Sequence, residues 1–298
     1  MRLQERALVL GFRFAWATFG YIPKKVLYFF ADLIAQRTSS KAGRGVLRLQ
    51  FNIARVLGRE TTDTKVLEVS RLAMRSYMRY WVDMFALSKR NSDYIYSSVE
   101  MRNFAEIERA LSEKIGVVVC VTHSGNWDLA GAYIAQKFGG ITTVAERLRP
   151  VQLFDEFTKR RKARNIEILP HRGGDVPPSV RLSEELRNGK LIGLVTDRDM
   201  SRHGLEVDFF GHKSKMPTGA AKLAIENSAL LIPAAVFTEN EKTVIEFYPS
   251  VDLKDSDVES ATQQIANAFE VMISKHPENW HMLQKIWSDM PQELEDQK

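Results

Sequence analysis

The sequence predicts an α/β fold in which helices cover a central mixed, mainly parallel sheet. Short apolar runs of four to eight residues alternate with helical segments from about residue 115 to residue 275. This alternation is typical of strands joined by crossover helices. The chain has 298 residues, of which 44% are hydrophobic, which is enough for one large core. No interior run of Pro, Gly and Ser resembles a linker.

The first 60 residues form a basic and apolar region. They hold 11 Lys and Arg residues against three acidic ones, a net charge of +8, whereas the whole chain carries +5. Anionic lipid headgroups and nucleic acid both attract such a segment, but the many apolar residues between the charges favour lipid. We therefore expect residues 1–60 to be a helical membrane-associating region, residues 61–298 to be one compact domain, and nucleic acid not to be a partner.

Neither apolar stretch of this region is long enough to cross a bilayer. Residues 7–22 number 16 and contain Arg13, and residues 26–35 contain Asp32. A spanning helix needs roughly 20 mostly apolar residues, and a central Arg costs about 2.5 kcal/mol or more on insertion. We expect both segments to lie on an anionic membrane surface, as in a peripheral or monotopic protein. The alternative is a pair of helices packed on the core.

Helices and strands are predicted in order along the rest of the chain. A long amphipathic helix is expected over residues 63–90, where apolar side chains recur at helical spacing. Further helices are expected over residues 103–114, 127–138, 150–164, 178–188, 217–227 and 260–275. Strands are expected over residues 115–121, 141–145, 166–169, 191–197, 205–210, 230–237 and 243–248. The single cysteine, Cys120, excludes an internal disulfide and is expected to be a small buried side chain.

The end of the first apolar strand carries a candidate catalytic pair. His123 follows the strand, Gly125 permits a tight turn, and Asp128 falls in the first turn of the next helix. Functional groups in α/β folds gather where strands give way to loops and helix N-termini. A carboxylate five residues on can return to one imidazole nitrogen, fix the tautomer and leave the other nitrogen free as a base.

Other interpretations of this segment remain open. His123 can instead be a core histidine whose nitrogen is satisfied by a capping Asp128. Ser124 is a weaker candidate nucleophile because no G-x-S-x-G elbow surrounds it. A metal site is weaker still, since no second His or Cys lies at ligand spacing.

The segment of residues 123–128, read as H-x-G-N-W-D, resembles the signature of the bacterial lysophospholipid-type acyltransferase superfamily. Its nearest branch is that of the late acyltransferases of lipid A biosynthesis and their actinobacterial relatives. Further blocks match in order at residues 145–150, 157–161, 196–199, 206–211, 216–220 and 276–284. Blocks 206–211 and 280–284 look most like the phosphatidylinositol mannoside acyltransferases of mycobacteria and corynebacteria.

The resemblance implies an enzyme with a glycerolipid acyltransferase-like fold. Such an enzyme transfers a palmitoyl-type chain from acyl-CoA to a mannose hydroxyl of a phosphatidylinositol mannoside, at the cytoplasmic face of the plasma membrane. His123 would be the general base and Asp128 would orient and charge it. Asp197 would be a further acidic partner that binds the sugar or His123, with a cap or an ion pair to Arg198 as the alternative. No cofactor or metal is implied, because coenzyme A is already a good leaving group.

The resemblance also implies a substrate-binding set. Glu146 and Arg161 match positions that line the family's groove for donor and acceptor. Arg147 and Arg149 belong to a dense cationic group that would hold phosphates of the substrates, with a solvated basic surface as the alternative. The remaining members of the predicted set are Gly125, Asn126, Arg198 and Glu206.

Two other functions remain open at this stage. One is a lipid A-type acyltransferase that uses acyl carrier protein and a different glycolipid acceptor. The other is a noncatalytic membrane-surface lipid-binding protein that has inherited the fold. The acyl chain length and the oligomeric state are not encoded in any pattern of the sequence.

Overall fold

The computed structural model describes residues 3–199 and 204–294. Its helices are α1 (Leu3–Thr18), α2 (Lys24–Lys41), α3 (Arg44–Leu57), α4 (Thr64–Leu87), α5 (Ser92–Ser98), α6 (Ala105–Ser112), α7 (Trp127–Phe138), α8 (Val151–Lys162), α9 (Pro178–Arg187), α10 (Gly219–Glu226) and α11 (Val258–Lys275). Its strands are β1 (Val99–Arg102), β2 (Val117–Val121), β3 (Ile141–Ala145), β4 (Ile166–Pro170), β5 (Leu191–Val195), β6 (Leu205–Phe209), β7 (His212–Met216), β8 (Leu230–Glu239) and β9 (Lys242–Phe247).

Seven strands form the central sheet, in the order β1-β9-β8-β2-β5-β3-β4. Every neighbouring pair is parallel except β8 and β9, which are antiparallel. The prediction of a mixed, mainly parallel sheet is therefore confirmed. Strand β2 lies between β8 and β5, so the loop that follows it opens near the middle of the sheet.

Both faces of the sheet are covered, which explains why β2 is apolar throughout. Val117 and Val119 pack in the cluster that contains α7, whereas Val118 and Cys120 pack on the other face with α3, α4 and α9–α11. Successive strand residues point to opposite faces, so a strand buried on both sides has no polar positions. Cys120 is fully buried, and burial raises the pKa of its thiol to about 12.

Three strand assignments differ from the sequence prediction. The strand predicted over residues 205–210 lies outside the central sheet, because β6 pairs with β7 in a separate two-stranded antiparallel sheet. β7 was not predicted, since its lysines alternate with a buried serine and the segment carries almost no apolar signal. β1 was not predicted either and pairs with β9 at the sheet edge.

Helices α1–α3 pack on the domain through one face. Leu27, Ala31 and Ala35 of α2 are buried. Asp32 of the same helix accepts two hydrogen bonds from Arg79 of α4, from Nε at 2.8 Å and from Nη2 at 2.6 Å. The opposite face of α1 and α2 carries exposed apolar side chains. The alternative prediction, that these helices pack on the core, therefore applies to their inner face only. Within the described part of the chain, no helix combines the length and the apolar character needed to cross a bilayer.

The segment after α11 runs back to the loop that follows β2. Gly125 N donates to Asn279 O at 2.9 Å, and His281 N donates to His123 O at 2.8 Å. Asn52 of α3 holds this segment from the other side, since its Nδ2 donates to Met282 O at 2.7 Å and to Gln284 O at 3.0 Å. The fold therefore fixes the β2 loop between the sheet and the C-terminal segment.

We expect Asn52→Ala to lower the free energy of unfolding by about 2 kcal/mol, because it leaves two carbonyl acceptors in a buried region without their donor. Urea denaturation measures the change. Asn267→Ala on the exposed face of α11 is the matched control, since it removes one solvent-exposed hydrogen bond. If the two variants lose the same free energy of unfolding, the Asn52 hydrogen bonds contribute no more to stability than an exposed hydrogen bond does.

Candidate active site

The loop after β2 is shaped by Gly125 and Asn126. Gly125 has a φ of +60°, and a Cβ at this position would lie 2.5 Å from Val236 O, so no larger residue fits. Asn126 caps α7, because its Oδ1 accepts a hydrogen bond from Leu129 N at 3.0 Å. Both residues have a structural task here, and their predicted contact with substrate stays a prediction.

His123 is paired with Asp197 across the ends of two neighbouring parallel strands. Val121 of β2 and Val195 of β5 are in register, so the residues two positions further on face each other. His123 Nδ1 and Asp197 Oδ1 lie 2.6 Å apart, and His123 N donates to Asp197 Oδ2 at 2.9 Å. The structure thus brings the predicted base together with Asp197, and not with Asp128.

The Asp197 carboxylate is buried and saturated with donors. Its side chain is 0% exposed, and Oδ2 also accepts a hydrogen bond from Trp280 Nε1 at 2.9 Å. Burial acts to raise the pKa of Asp197, but the charge and hydrogen bonds of His123 and the Trp280 bond outweigh it and hold the pKa below 3.8. Asp197 is therefore an ionised carboxylate in the interior.

The pair shifts the pKa of His123 in the opposite direction. Burial acts to lower this pKa and Arg198 lowers it further, but the charge and hydrogen bond of Asp197 prevail and raise it above 6.5. The side chain of His123 is still 36% exposed. No residue in the described ranges accepts or donates a hydrogen bond at Nε2, so this nitrogen is available to a substrate.

Asp128 has other partners, which corrects the predicted His123–Asp128 pair. Arg161 Nε donates to Asp128 Oδ1 at 2.7 Å and Arg161 Nη2 to Oδ2 at 3.0 Å, while Tyr80 Oη donates to Oδ2 at 2.8 Å. The first turn of α7 directs this carboxylate toward α8 and α4, away from the β2–β5 edge that holds Asp197. Asp128 therefore ties three helices together behind His123.

The pKa values of its partners reflect this buried cluster. Burial acts to lower the pKa of Arg161, but the charge of Asp128 and the hydrogen bond to it raise the pKa. Burial and the Asp128 charge raise the pKa of Tyr80. Each group thus keeps its ordinary protonation state, and the cluster is a fixed charge pair with one neutral phenol.

A long apolar cavity of about 370 Å³ opens beside His123. It lies between α7 and the face of the sheet that carries Val119, Val121 and Val195. Deeper residues of its wall are Ile134, Ile141, Ile166, Leu191, Gly193, Ile245 and Phe247. A pocket with this lining binds an apolar chain rather than a polar ligand.

A second cavity of about 260 Å³ also borders His123 and shares part of its wall with the first, but the rest of its lining differs. Aromatic side chains dominate it: Tyr77, Tyr80, Trp81, Trp127, Phe154 and Phe157. Polar groups of Glu146, Arg161, Arg198 and Gln284 are interspersed with them. Aromatic faces with a few polar groups are typical of sites that hold an amphipathic ligand such as a sugar.

The predicted substrate-binding residues divide into two groups. Glu146, Arg161 and Arg198 line both cavities beside His123. Among the residues described, the other five line neither cavity. Gly125 and Asn126 shape the β2 loop, whereas Arg147 donates to Gly173 O at 3.3 Å, Arg149 is exposed, and Glu206 is exposed on β6 opposite Lys215. The structure therefore does not bring the last three to this site.

Four residues of the site were missed by the sequence analysis. These are Tyr80, Trp127, Trp280 and His281, none of which is among the predicted site residues. His281 is buried in the wall of the second cavity, where burial and the charge of His123 lower its pKa to about 3. No signal in one sequence distinguishes these roles from packing.

The two weaker candidates of the sequence analysis were Ser124 as a nucleophile and a metal site. Ser124 is buried and its Oγ lies 2.7 Å from Thr122 Oγ1. Over residues 3–199 and 204–294, no three His, Cys, Asp or Glu side chains come together as metal ligands.

We expect the pKa of His123, measured by NMR titration, to fall by roughly one unit in Asp197→Asn, because the raising charge is removed. In Asp128→Asn, which disturbs the neighbouring cluster only, the pKa should stay near the wild-type value. Because the pKa of His123 is raised in the folded wild type, the Asp197–His123 pair stabilises the fold fully below pH 6.5. This contribution to stability is lost as the pH rises through the raised pKa. A larger shift in Asp128→Asn than in Asp197→Asn would contradict the pairing.

Comparisons with known proteins show the family of the chain. The model of the family described as bacterial lipid A biosynthesis acyltransferase matches residues 2–289. The phosphatidylinositol mannoside acyltransferase of Mycobacterium tuberculosis (strain ATCC 25618 / H37Rv) is 39% identical over 246 residues, which are 82% of this chain and 77% of that protein.

The protein of the same name from Mycolicibacterium smegmatis (strain ATCC 700084 / mc(2)155) is 38% identical over 243 residues, 82% of this chain and 80% of that protein. The sequence resemblance is thus confirmed, and the noncatalytic alternative is not needed. The chain belongs to the bacterial lipid A biosynthesis acyltransferase family and is an acyltransferase.

Proposed function

We propose that this acyltransferase transfers a fatty acyl chain from acyl-CoA to a mannose hydroxyl of a phosphatidylinositol mannoside. The observation that carries the proposal is the position of His123, whose unpaired Nε2 side lies where an apolar cavity and an aromatic, polar cavity meet. The names of the mycobacterial relatives support the acceptor.

His123 acts as the general base in this mechanism. Asp197 holds the Nδ1–H tautomer, so Nε2 accepts the proton of the acceptor hydroxyl. The hydroxyl oxygen attacks the thioester carbonyl carbon, and the C–S bond breaks in the resulting tetrahedral intermediate. The coenzyme A sulfur leaves and takes the proton back from His123, which regenerates the neutral base. No cofactor is required, because a thiol is a good leaving group.

The apolar cavity holds the acyl chain of the donor in this proposal. Its wall is formed by aliphatic side chains of the sheet and α7, so each buried methylene contributes about 0.8 kcal/mol to binding. The chain would enter with its carboxyl end at the mouth, beside His123. This arrangement places the reactive carbonyl within reach of Nε2 and keeps the rest of the chain away from water.

The aromatic cavity holds the sugar of the acceptor. Tyr80 and Trp127 pack on each other in its wall, with ring centroids 4.1 Å apart, and the aromatic side chains of this wall suit the C–H face of a pyranose. Glu146 and Gln284 offer oxygen acceptors to sugar hydroxyls, and Arg198 offers a charge to a phosphate. In this proposal the two substrates meet at His123, which borders both cavities.

A lipid A-type acyltransferase with acyl carrier protein as donor is the second candidate, supported by the description of the family model. The proton transfers are the same in both reactions. The donor and the acceptor separate them: acyl-CoA against acyl carrier protein, and a mannosylated phosphatidylinositol against a lipid A precursor.

We expect His123→Ala to abolish turnover and Asp197→Asn to lower it by roughly 10²- to 10⁴-fold, the usual contribution of general-base catalysis. The assay supplies palmitoyl-CoA and a phosphatidylinositol mannoside and follows free thiol together with acylated lipid. His171→Ala, which changes an exposed histidine, is the control and should be as active as the wild type. Wild-type turnover in His123→Ala would disprove the mechanism.

The kcat/KM of the same reaction is expected to fall at low pH. The base must be neutral, so kcat/KM falls as pH drops below the pKa of His123, which Asp197 raises above 6.5. The acid limb of the wild-type profile therefore lies above pH 6.5. A midpoint below that value would show that another group is the base.

We also propose that the outward face of α1 and α2 lies on the membrane that contains the acceptor lipid. Phe14 is 67% exposed, Phe29 60% and Phe30 56%. Lys24 and Lys25 follow the turn between the two helices, where they meet anionic headgroups. Because the proposed donor, acyl-CoA, is a cytoplasmic compound, we propose that this surface meets the cytoplasmic face of the plasma membrane.

We expect the double substitution Phe29→Asp and Phe30→Asp to weaken binding to phosphatidylcholine vesicles that contain phosphatidylinositol by at least about tenfold, since two inserted rings are replaced by charges. Vesicle co-sedimentation measures the affinity. Val271→Asp, on the exposed side of α11, is the control and should bind as the wild type does. Equal binding by all three proteins would exclude this face as the membrane contact.

A further inference from the structure

Two tryptophans of the C-terminal segment have similar surroundings, but their indole nitrogens differ in hydrogen bonding. Trp280 and Trp287 are both fully buried, and both pack on Phe209, with ring centroids 6.4 and 5.4 Å from it. Each also forms an isolated antiparallel bridge, Trp280 to Ser124 and Trp287 to Ser214. Trp280 Nε1 donates to Asp197, whereas Trp287 Nε1 is buried and has no hydrogen-bond partner within residues 3–199 and 204–294.

The two indoles thus differ in what their nitrogens contact, although both pack on Phe209. Packing beside Phe209 does not by itself give an indole nitrogen a hydrogen-bond partner among the described residues, as Trp287 shows. The bond from Trp280 instead reaches the one carboxylate that pairs with the catalytic base, at 2.9 Å. With the backbone N–H of His123 on the same oxygen, it leaves Oδ1 as the oxygen for Nδ1.

We propose that Trp280 is a positioning residue of the reaction, which holds the Asp197 carboxylate in place and moderates its pull on the His123 proton. The proposal rests on the proposed function of His123 as the base. A donor on Oδ2 disperses the carboxylate charge and fixes its plane. Without that donor the carboxylate is more basic and stabilises the imidazolium more strongly. Its plane is also no longer fixed relative to the ring.

Other charged groups around the pair remain unchanged when Trp280 is replaced. Arg198 follows Asp197 in the chain, and Glu146 and the Asp128–Arg161 pair line the cavities beside His123. His281 is adjacent to Trp280 and is neutral at ordinary pH, because its pKa lies at about 3. A shift of the His123 titration in a Trp280 variant therefore reports the Trp280–Asp197 bond.

The test compares Trp280→Phe with Trp287→Phe. Both remove an indole from the same core beside Phe209, but only the first removes a hydrogen bond to Asp197. We expect Trp280→Phe to lower kcat by about tenfold and to move the acid limb of the pH profile upward by about half a unit, since one hydrogen bond to a charged group is lost. Trp287→Phe should keep the wild-type profile.

An NMR titration of His123 in the same variants gives a readout that does not depend on transfer activity. The pKa should rise in Trp280→Phe and stay unchanged in Trp287→Phe. If wild-type protein transfers no acyl group, the proposed function fails while this titration still tests the bond. If the wild type is active and the two variants share one kcat, one pH profile and one His123 pKa, the role of Trp280 is overturned.

Wild-type protein provides a second measurement in case Trp280→Phe does not fold. The indole N–H resonance of Trp280 should shift with pH at the midpoint of the His123 titration, whereas that of Trp287 should not. A Trp280 resonance that stays constant through the His123 midpoint would also overturn the proposal.

Discussion

The buried ion pair between Asp197 and His123 is the interaction on which the rest of the site depends. A carboxylate that is 0% exposed is costly unless donors surround it, and here the imidazole, a backbone N–H and an indole N–H supply them. The donors come from two parts of the fold: His123 of the β2 loop supplies two, and Trp280 of the C-terminal segment supplies the third. The pair therefore forms only when the sheet edge and that segment are both in place.

Two arrangements follow from this pair. Because Nδ1 is occupied by Asp197, Nε2 is the only ring nitrogen that can take a proton from a substrate. Because the β2 loop lies at the middle of the sheet, it has a covered apolar face on one side and the aromatic residues of α4, α7 and α8 on the other. A base at such a boundary can serve an acyl chain and a glycolipid headgroup in the same step, which is what acyl transfer to a sugar requires.

The sequence predicted most of the fold and the place of His123 at the end of a central strand. The apolar run of β2 and the turn at Gly125 identified His123, since both features are local. The residues alone assigned the partner to Asp128 because it is close in sequence, and only the family resemblance added Asp197 as a partner of the sugar or of His123. Asp197 is close to His123 in space through the register of β2 and β5. Strand order is a non-local property that hydropathy does not contain. Likewise, nothing in the sequence distinguishes Trp280 from Trp287, because the difference lies in what each indole nitrogen faces.

The tautomer of His123 tests the central claim most directly. Nitrogen-15 NMR of labelled wild-type protein, at a pH above the His123 pKa, reports which ring nitrogen carries the proton. A protonated Nδ1 and an unprotonated Nε2 are expected, because Asp197 accepts from Nδ1. A protonated Nε2, or rapid exchange between both tautomers, would contradict the account.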